Sequence, residues 1–98
     1  MRYRLSPLAE RDLVELWAYV AAEASDERAD RVVETIVGAL EMLASYPRAG
    51  RLRREFGSAV RSFPVAGQMI YYRPSDVLLV ARILHGRRDQ AAAWNDGG

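Results

Sequence analysis

Residues 59–85 read AVRSFPVAGQMIYYRPSDVLLVARILH, and this stretch decides the fold. Its apolar residues either alternate or run together, which is strand patterning. Turn chemistry breaks it twice, at Pro64-Val65-Ala66-Gly67 and at Pro74-Ser75-Asp76. The spacing predicts strands over Ala59–Phe63, Gln68–Arg73 and Val77–Leu84. Strands joined by such short turns form an antiparallel meander. The unbroken run Val77–Ala81 predicts a central strand covered on both faces. Tyr71 and Tyr72, as neighbours on a strand, are expected to place one ring in and one out.

Upstream of Pro47 the period is helical. Ser6 followed by Pro7 is a helix start: a capping hydroxyl, then a residue preset for the first turn. Leu13, Trp17, Val20 and Ala24 recur at helical spacing, with Leu16 and Ala21 beside them, which predicts a helix over about 7–24. Ser25 caps a second helix, with Asp26 and Glu27 suited to its N-terminal dipole. Its stripe is Ala29, Val32, Val33, Ile36, Leu40 and Leu43, and Pro47 ends it near Tyr46. Arg2-Tyr3-Arg4-Leu5 alternates and reads as a short first strand. Residues 48–58 have loop composition. The order is β-α-α-β-β-β: an α+β domain with a helical hairpin packed on an antiparallel sheet. One domain spans 1–98, with an ordered core of about 1–89 and a short tail over 90–98.

Composition narrows the function. A chain of 98 residues can bury roughly 65% of its unfolded surface, enough for one core. Half its residues are apolar, which excludes disorder throughout. With no Cys and a single His, neither a disulfide framework nor a nitrogen–sulfur zinc site is expected. No cofactor is expected either, since no Gly-rich cradle precedes a helix. The N-terminus lacks a hydrophobic signal core and no apolar run approaches membrane-spanning length, so a cytoplasmic protein with no membrane partner is expected.

Charge is unevenly placed. Residues 1–47 hold five Arg and nine acidic residues, whereas residues 48–98 hold nine Arg and four acidic residues. All fourteen basic residues are Arg, whose planar fork suits carboxylates and phosphates. The loop Arg48, Arg51, Arg53 and Arg54 either pairs with the acidic helices or meets a polyanion. His85 reads as a structural or partner contact, or as a general base. Trp17 sits on a helical apolar stripe and reads as core, or as part of a partner groove. Trp94, in the polar tail, either docks back or anchors a partner. Arg82 interrupts an apolar strand, so it is either buried with a carboxylate such as Asp89 or part of a cationic site.

Several fragments together resemble ParE-type toxins of bacterial type II toxin–antitoxin modules. They are Tyr3-Arg4-Leu5-Ser6-Pro7 with Ala9, Asp12-Leu13 and Trp17-Ala18-Tyr19; Ala29-Asp30-Arg31; and Leu43 to Pro47 with Gly50. Arg61-Ser62-Phe63-Pro64-Val65, Ile70-Tyr71-Tyr72-Arg73 and Arg82-Ile83-Leu84-His85-Gly86-Arg87-Arg88-Asp89 complete the set. The resemblance covers residues 3–89 and implies the RelE/ParE-like fold. It implies a toxin neutralised by a ParD-like antitoxin, with growth inhibition and plasmid stabilisation as its setting. Trp17, Arg61, Tyr72, Arg73 and Arg82 become candidate antitoxin contacts. His85, Arg87, Arg88 and Trp94 become candidate toxicity residues. The superfamily holds two activities: ParE-like poisoning of DNA gyrase by binding, and RelE-like cleavage of ribosome-bound messenger RNA. Cleavage needs a general base, a general acid and a cation for the phosphate. This chain has no Lys, no tyrosine beyond Tyr72, and Arg is a poor proton carrier. Gyrase binding is therefore the expected activity, without sequence-specific DNA binding by the chain alone. The alternative is a nuclease built on His85, Arg82 and Arg87, and a third reading is a non-toxic interaction module.

Overall fold

The computed structural model describes residues 2–86; the readings on Arg87, Arg88, Asp89, Trp94 and the tail lie outside the described residues. Strand β1 (Tyr3–Leu5) leads into α1 (Pro7–Glu23) and α2 (Asp26–Ser45), followed by a single 3-10 turn over Pro47–Ala49. Strand β2 (Arg51–Leu52) and a second 3-10 turn (Arg54–Phe56) precede β3 (Arg61–Val65), β4 (Gln68–Arg73) and β5 (Leu78–His85). The sheet order is β1-β5-β4-β3-β2.

Both helix starts follow from their caps. Ser6 Oγ accepts from the Ala9 N–H at 3.0 Å, and its hydroxyl donates to the Ala81 carbonyl at 2.7 Å. One residue thus caps α1 and ties it to β5. Ser25 Oγ accepts from the Arg28 N–H at 3.1 Å. Ala9, Leu13 and Leu16 of α1 and Ile36, Leu40, Leu43 and Ala44 of α2 meet Ile70, Tyr72, Leu78, Val80 and Ile83 of the sheet in the main core.

The meander β3-β4-β5 is antiparallel, as its turns require. Strand β1 differs: it pairs parallel with β5, Tyr3 opposite Leu78 and Leu5 opposite Val80, so the sheet is mixed. Parallel neighbours need a long crossover, and the helical hairpin begins it. Residues 47–58 are more than a loop. They supply β2 and lay Phe56 on the side of the sheet away from the helices, where Val60, Tyr71 and Leu84 form a second small core. Tyr71 and Tyr72 are consequently both fully buried, one under each layer, rather than one in and one out. Leu79 is 39% exposed, so the Val77–Ala81 run is not covered on both faces.

Strand β3 begins two residues later than its composition suggests and runs through Pro64. The turn is only Ala66-Gly67, with φ of 52° and 76°. Two positive φ values define the tight hairpin turn whose twist matches the strands. Pairing alternates away from that turn, so the Pro64–Met69 pair is the non-hydrogen-bonded one. The nitrogen of Pro64 then faces the outer side, where two-residue β2 has already ended.

Candidate functional site

The end of β5 is where the candidate residues gather. Beyond Val80 the strand has outrun β1, and its outer edge would show unpaired backbone groups. Helix α1 and its N-cap cover that edge with one side chain each. Ser6 takes the Ala81 carbonyl, and Asp12 Oδ2 accepts from the Ile83 N–H at 2.9 Å. The same carboxylate is clasped by Arg82, whose Nε and Nη2 donate to Oδ2 and Oδ1 at 2.9 and 3.1 Å. Both residues are 9% exposed. The Asp12 hydrogen bonds hold the Arg82 guanidinium above its ordinary value, against the opposite pull of burial. The partner of Arg82 is therefore Asp12, seventy residues upstream. Arg82 belongs to the fold and offers little surface to an antitoxin.

Beside this clasp lies a groove of about 430 Å³ between the helical hairpin and the β3–β4 turn. Leu16, Val20, Val32 and Ile83 make it mostly apolar, with Glu15, Tyr19 and His85 also lining it. His85 is exposed at the end of β5, next to Gly86, whose N–H donates to the Gly67 carbonyl at 3.1 Å. Trp17 is half-buried rather than core, and its indole N–H donates to Asp30 Oδ1 at 2.8 Å, fastening α1 to α2.

Tyr72 is interior as well. Its hydroxyl donates to the Pro47 carbonyl at 2.6 Å and accepts from the Gly50 N–H at 2.9 Å. Burial raises its pKa, and the Gly50 N–H opposes that shift. With no exposed surface, Tyr72 positions residues 47–50 and does not itself present a contact. Gly50 allows this: a Cβ there would lie 2.8 Å from the Ser62 carbonyl oxygen and would run into the Tyr72 hydroxyl. Arg61, partly exposed, donates to the Gly50 carbonyl at 2.8 Å. Arg73 is exposed at the end of β4.

The four loop arginines divide. Arg53 is half-buried: it ion-pairs with Glu55 at 3.0 Å, donates to Ser62 Oγ at 3.2 Å, and lies 5.0 and 5.6 Å from the ring centres of Phe56 and Tyr71. A backbone hydrogen bond, then the Arg53 side chain, lower the Glu55 pKa. Burial raises the Tyr71 pKa, opposed by the nearby Arg53 charge. Arg48, Arg51 and Arg54 are exposed. Among the described residues, no group of three or more His, Asp or Glu side chains is placed to hold a metal ion, and no helix is long and apolar enough to cross a membrane.

Asp12 is the residue that sequence reasoning missed. A carboxylate on the sheet-facing side of an amphipathic helix signals a buried partner, and Arg82 in an apolar strand is the matching signal.

A helical pair on a five-stranded mixed sheet defines the class: an α+β fold shared with the chromosomal ParDE toxin–antitoxin system of P. aeruginosa. That structure superposes with a TM-score of 0.74 at 20% identity, over 87% of this chain and 95% of the other, and the likeness concerns the fold. Residues 3–90 match the family model described as the ParE toxin of the type II toxin–antitoxin system, parDE, and the chain belongs to that family. It is 29% identical to Toxin ParE1 of Mycobacterium tuberculosis over 90 residues, covering 90% of this chain and 92% of the relative. It is 26% identical to Toxin ParE1 of Caulobacter vibrioides over 83 residues, covering 85% and 86%.

Proposed function

We propose that the chain acts as the toxin of a two-component module, is neutralised by a ParD-like antitoxin, and arrests growth by binding DNA gyrase. Family membership over residues 3–90 supports the toxin role. The Asp12–Arg82 clasp supports this mechanism over RNA cleavage by taking Arg82 out of the His85, Arg82 and Arg87 set. RNA cleavage through His85 would need a nearby cation to stabilise the phosphate in the transition state. Arg82, three residues from His85, is instead bound bidentately to a carboxylate. Trp17, Arg61 and Arg73 keep enough surface to contact an antitoxin, whereas Tyr72 and Arg82 act from inside. The basic half of the chain suits an acidic antitoxin segment.

The test is purified toxin against gyrase supercoiling, run beside ribosome-bound message. Loss of supercoiling with intact message is expected. Codon-specific cuts with gyrase unaffected would overturn the gyrase reading.

A further inference from the structure

The uneven charge along the chain becomes, in three dimensions, a difference between layers. Helices α1 and α2 carry nine acidic residues against Arg11, Arg28 and Arg31. All of those acids except Asp12 are exposed. The described residues outside the helices hold nine Arg against Glu55 and Asp76 alone.

The strand registers place a subset of these arginines on one surface. Tyr3 and Leu5 pack toward the helices, so Arg4 between them points the other way. Leu78 and Val80 likewise face the helices, which puts Leu79 on the open side. Arg73 follows Tyr72, a helix-side residue, so it too lies on the open side. Arg4, Leu79 and Arg73 are direct cross-strand neighbours, forming one row over β1, β5 and β4. A parallel row holds Arg51, Ser62 and Tyr71 over β2, β3 and β4, with Tyr71 in the core opposite the helices. Arg4, Arg51 and Arg73 are all exposed, and none is in an ion pair among the described residues. Strands lie about 4.8 Å apart, so neighbouring charges in this array are roughly 10–12 Å apart. The only acidic side chain near Arg51 in sequence, Glu55, is engaged by Arg53.

We propose that this open sheet face is a binding surface for the sugar–phosphate backbone of duplex DNA, independent of base sequence. Charge complementarity supplies the attraction: three exposed guanidiniums on one face of the sheet, in no ion pair among the described residues, backed by an acidic layer that disfavours the opposite orientation. A duplex fits better than a single strand. Single-strand sites use exposed aromatic platforms; on this face Tyr71 is fully buried, and Phe56, partly buried, is committed edge-to-face to Tyr71 at 5.2 Å and lies 5.0 Å from the Arg53 guanidinium. The inference does not rest on the gyrase reading, and its test contains no gyrase.

The probe is a fluorescent 20-base-pair duplex of arbitrary sequence, titrated with the full chain between 50 and 200 mM salt. Each phosphate contact contributes close to one unit to the slope of log K against log salt. A slope of about −3 is expected. Each single substitution, Arg4→Ala, Arg51→Ala or Arg73→Ala, should reduce it by about one while leaving the melting temperature near parental. The triple variant should bind at least about tenfold more weakly at 50 mM salt, whereas Arg28→Ala, on the acidic helical layer, should bind as the parent does. The proposal is overturned by no binding at 50 mM salt, by a triple variant with parental affinity, by tighter binding to a single strand of equal length, or by binding to polyglutamate with none to the duplex.

Discussion

Substituting Asp12 by Ala should be among the most damaging changes available in this chain. The carboxylate receives three hydrogen bonds, two from Arg82 and one from the Ile83 backbone. Removing it takes both of these carboxylate hydrogen bonds from a guanidinium at 9% exposure. Breaking one side of a buried pair costs about 3–5 kcal/mol. The abandoned Ile83 N–H falls within that loss rather than adding fully to it, because the same relaxation and water entry serve both groups. A domain of this size has about 5–15 kcal/mol in total, and 1 kcal/mol corresponds to roughly 4–8 °C of melting temperature. Asp12→Ala should therefore melt at least about 12 °C below the parent. Asp12→Asn should fall between them, since one amide oxygen can still accept from Ile83. Arg82→Met in the Asp12→Ala background should restore part of the loss by removing a buried charge that has lost this carboxylate. The assay is urea unfolding at pH 7, followed by circular dichroism, of five proteins: the parent, Asp12→Ala, Asp12→Asn, Arg82→Met and the Asp12→Ala, Arg82→Met double variant. If Asp12→Ala lies within about 0.5 kcal/mol of the parent, or if the two substitutions simply add, the clasp does not hold the β5 edge.

Three further outcomes test other parts of the fold. Gly50→Ala should cost about 1–3 kcal/mol by overpacking, read as a lower urea midpoint, because the new methyl meets the Ser62 carbonyl and the Tyr72 hydroxyl. Ala66→Gly should raise the unfolding free energy by up to about 1 kcal/mol, read as a higher urea midpoint, since it relieves a left-handed backbone at φ 52° that glycine adopts freely; a loss of stability would contradict the turn geometry. Tyr71 and Tyr72 have raised pKa values, so the stability they provide is complete below about pH 10 and declines as pH climbs toward their folded values. Tyr72→Phe should cost about 1–3 kcal/mol at pH 7 through its two lost hydrogen bonds, yet show a shallower decline between pH 9 and 11 than the parent.

Local signals made the helical layer legible. Ser6-Pro7 and Ser25 mark helix starts by their own chemistry, and Pro47 marks a stop, so α1 and α2 fall within about a residue of the expected bounds. The meander was legible for the same reason, since its turns are short. What stayed hidden depends on contacts far apart in the chain. The parallel seat of β1 on β5 brings Tyr3 to Leu78, and no local pattern encodes the direction of that pairing. Pro64 reads as a turn residue because its missing N–H matters only once the strand edge is known. Residues 51–56 look like loop because two of their structural roles, an edge strand and a cap on Tyr71, need only a few side chains. At the site, the charge asymmetry and the candidate arginines were visible, but their division into buried clasp, stacked Arg53 and open-face array required the registers.

Gyrase poisoning by this ParE-family toxin is measured in cells that lack the antitoxin. The chain is induced in a strain carrying a DNA-damage reporter, and total messenger RNA from the same culture is mapped for new 5′ ends. Growth arrest is expected with the reporter switched on and message ends unchanged, and a co-expressed cognate antitoxin should reverse the effects on growth and reporter. Growth arrest with a silent reporter and new codon-phased message ends would contradict gyrase poisoning.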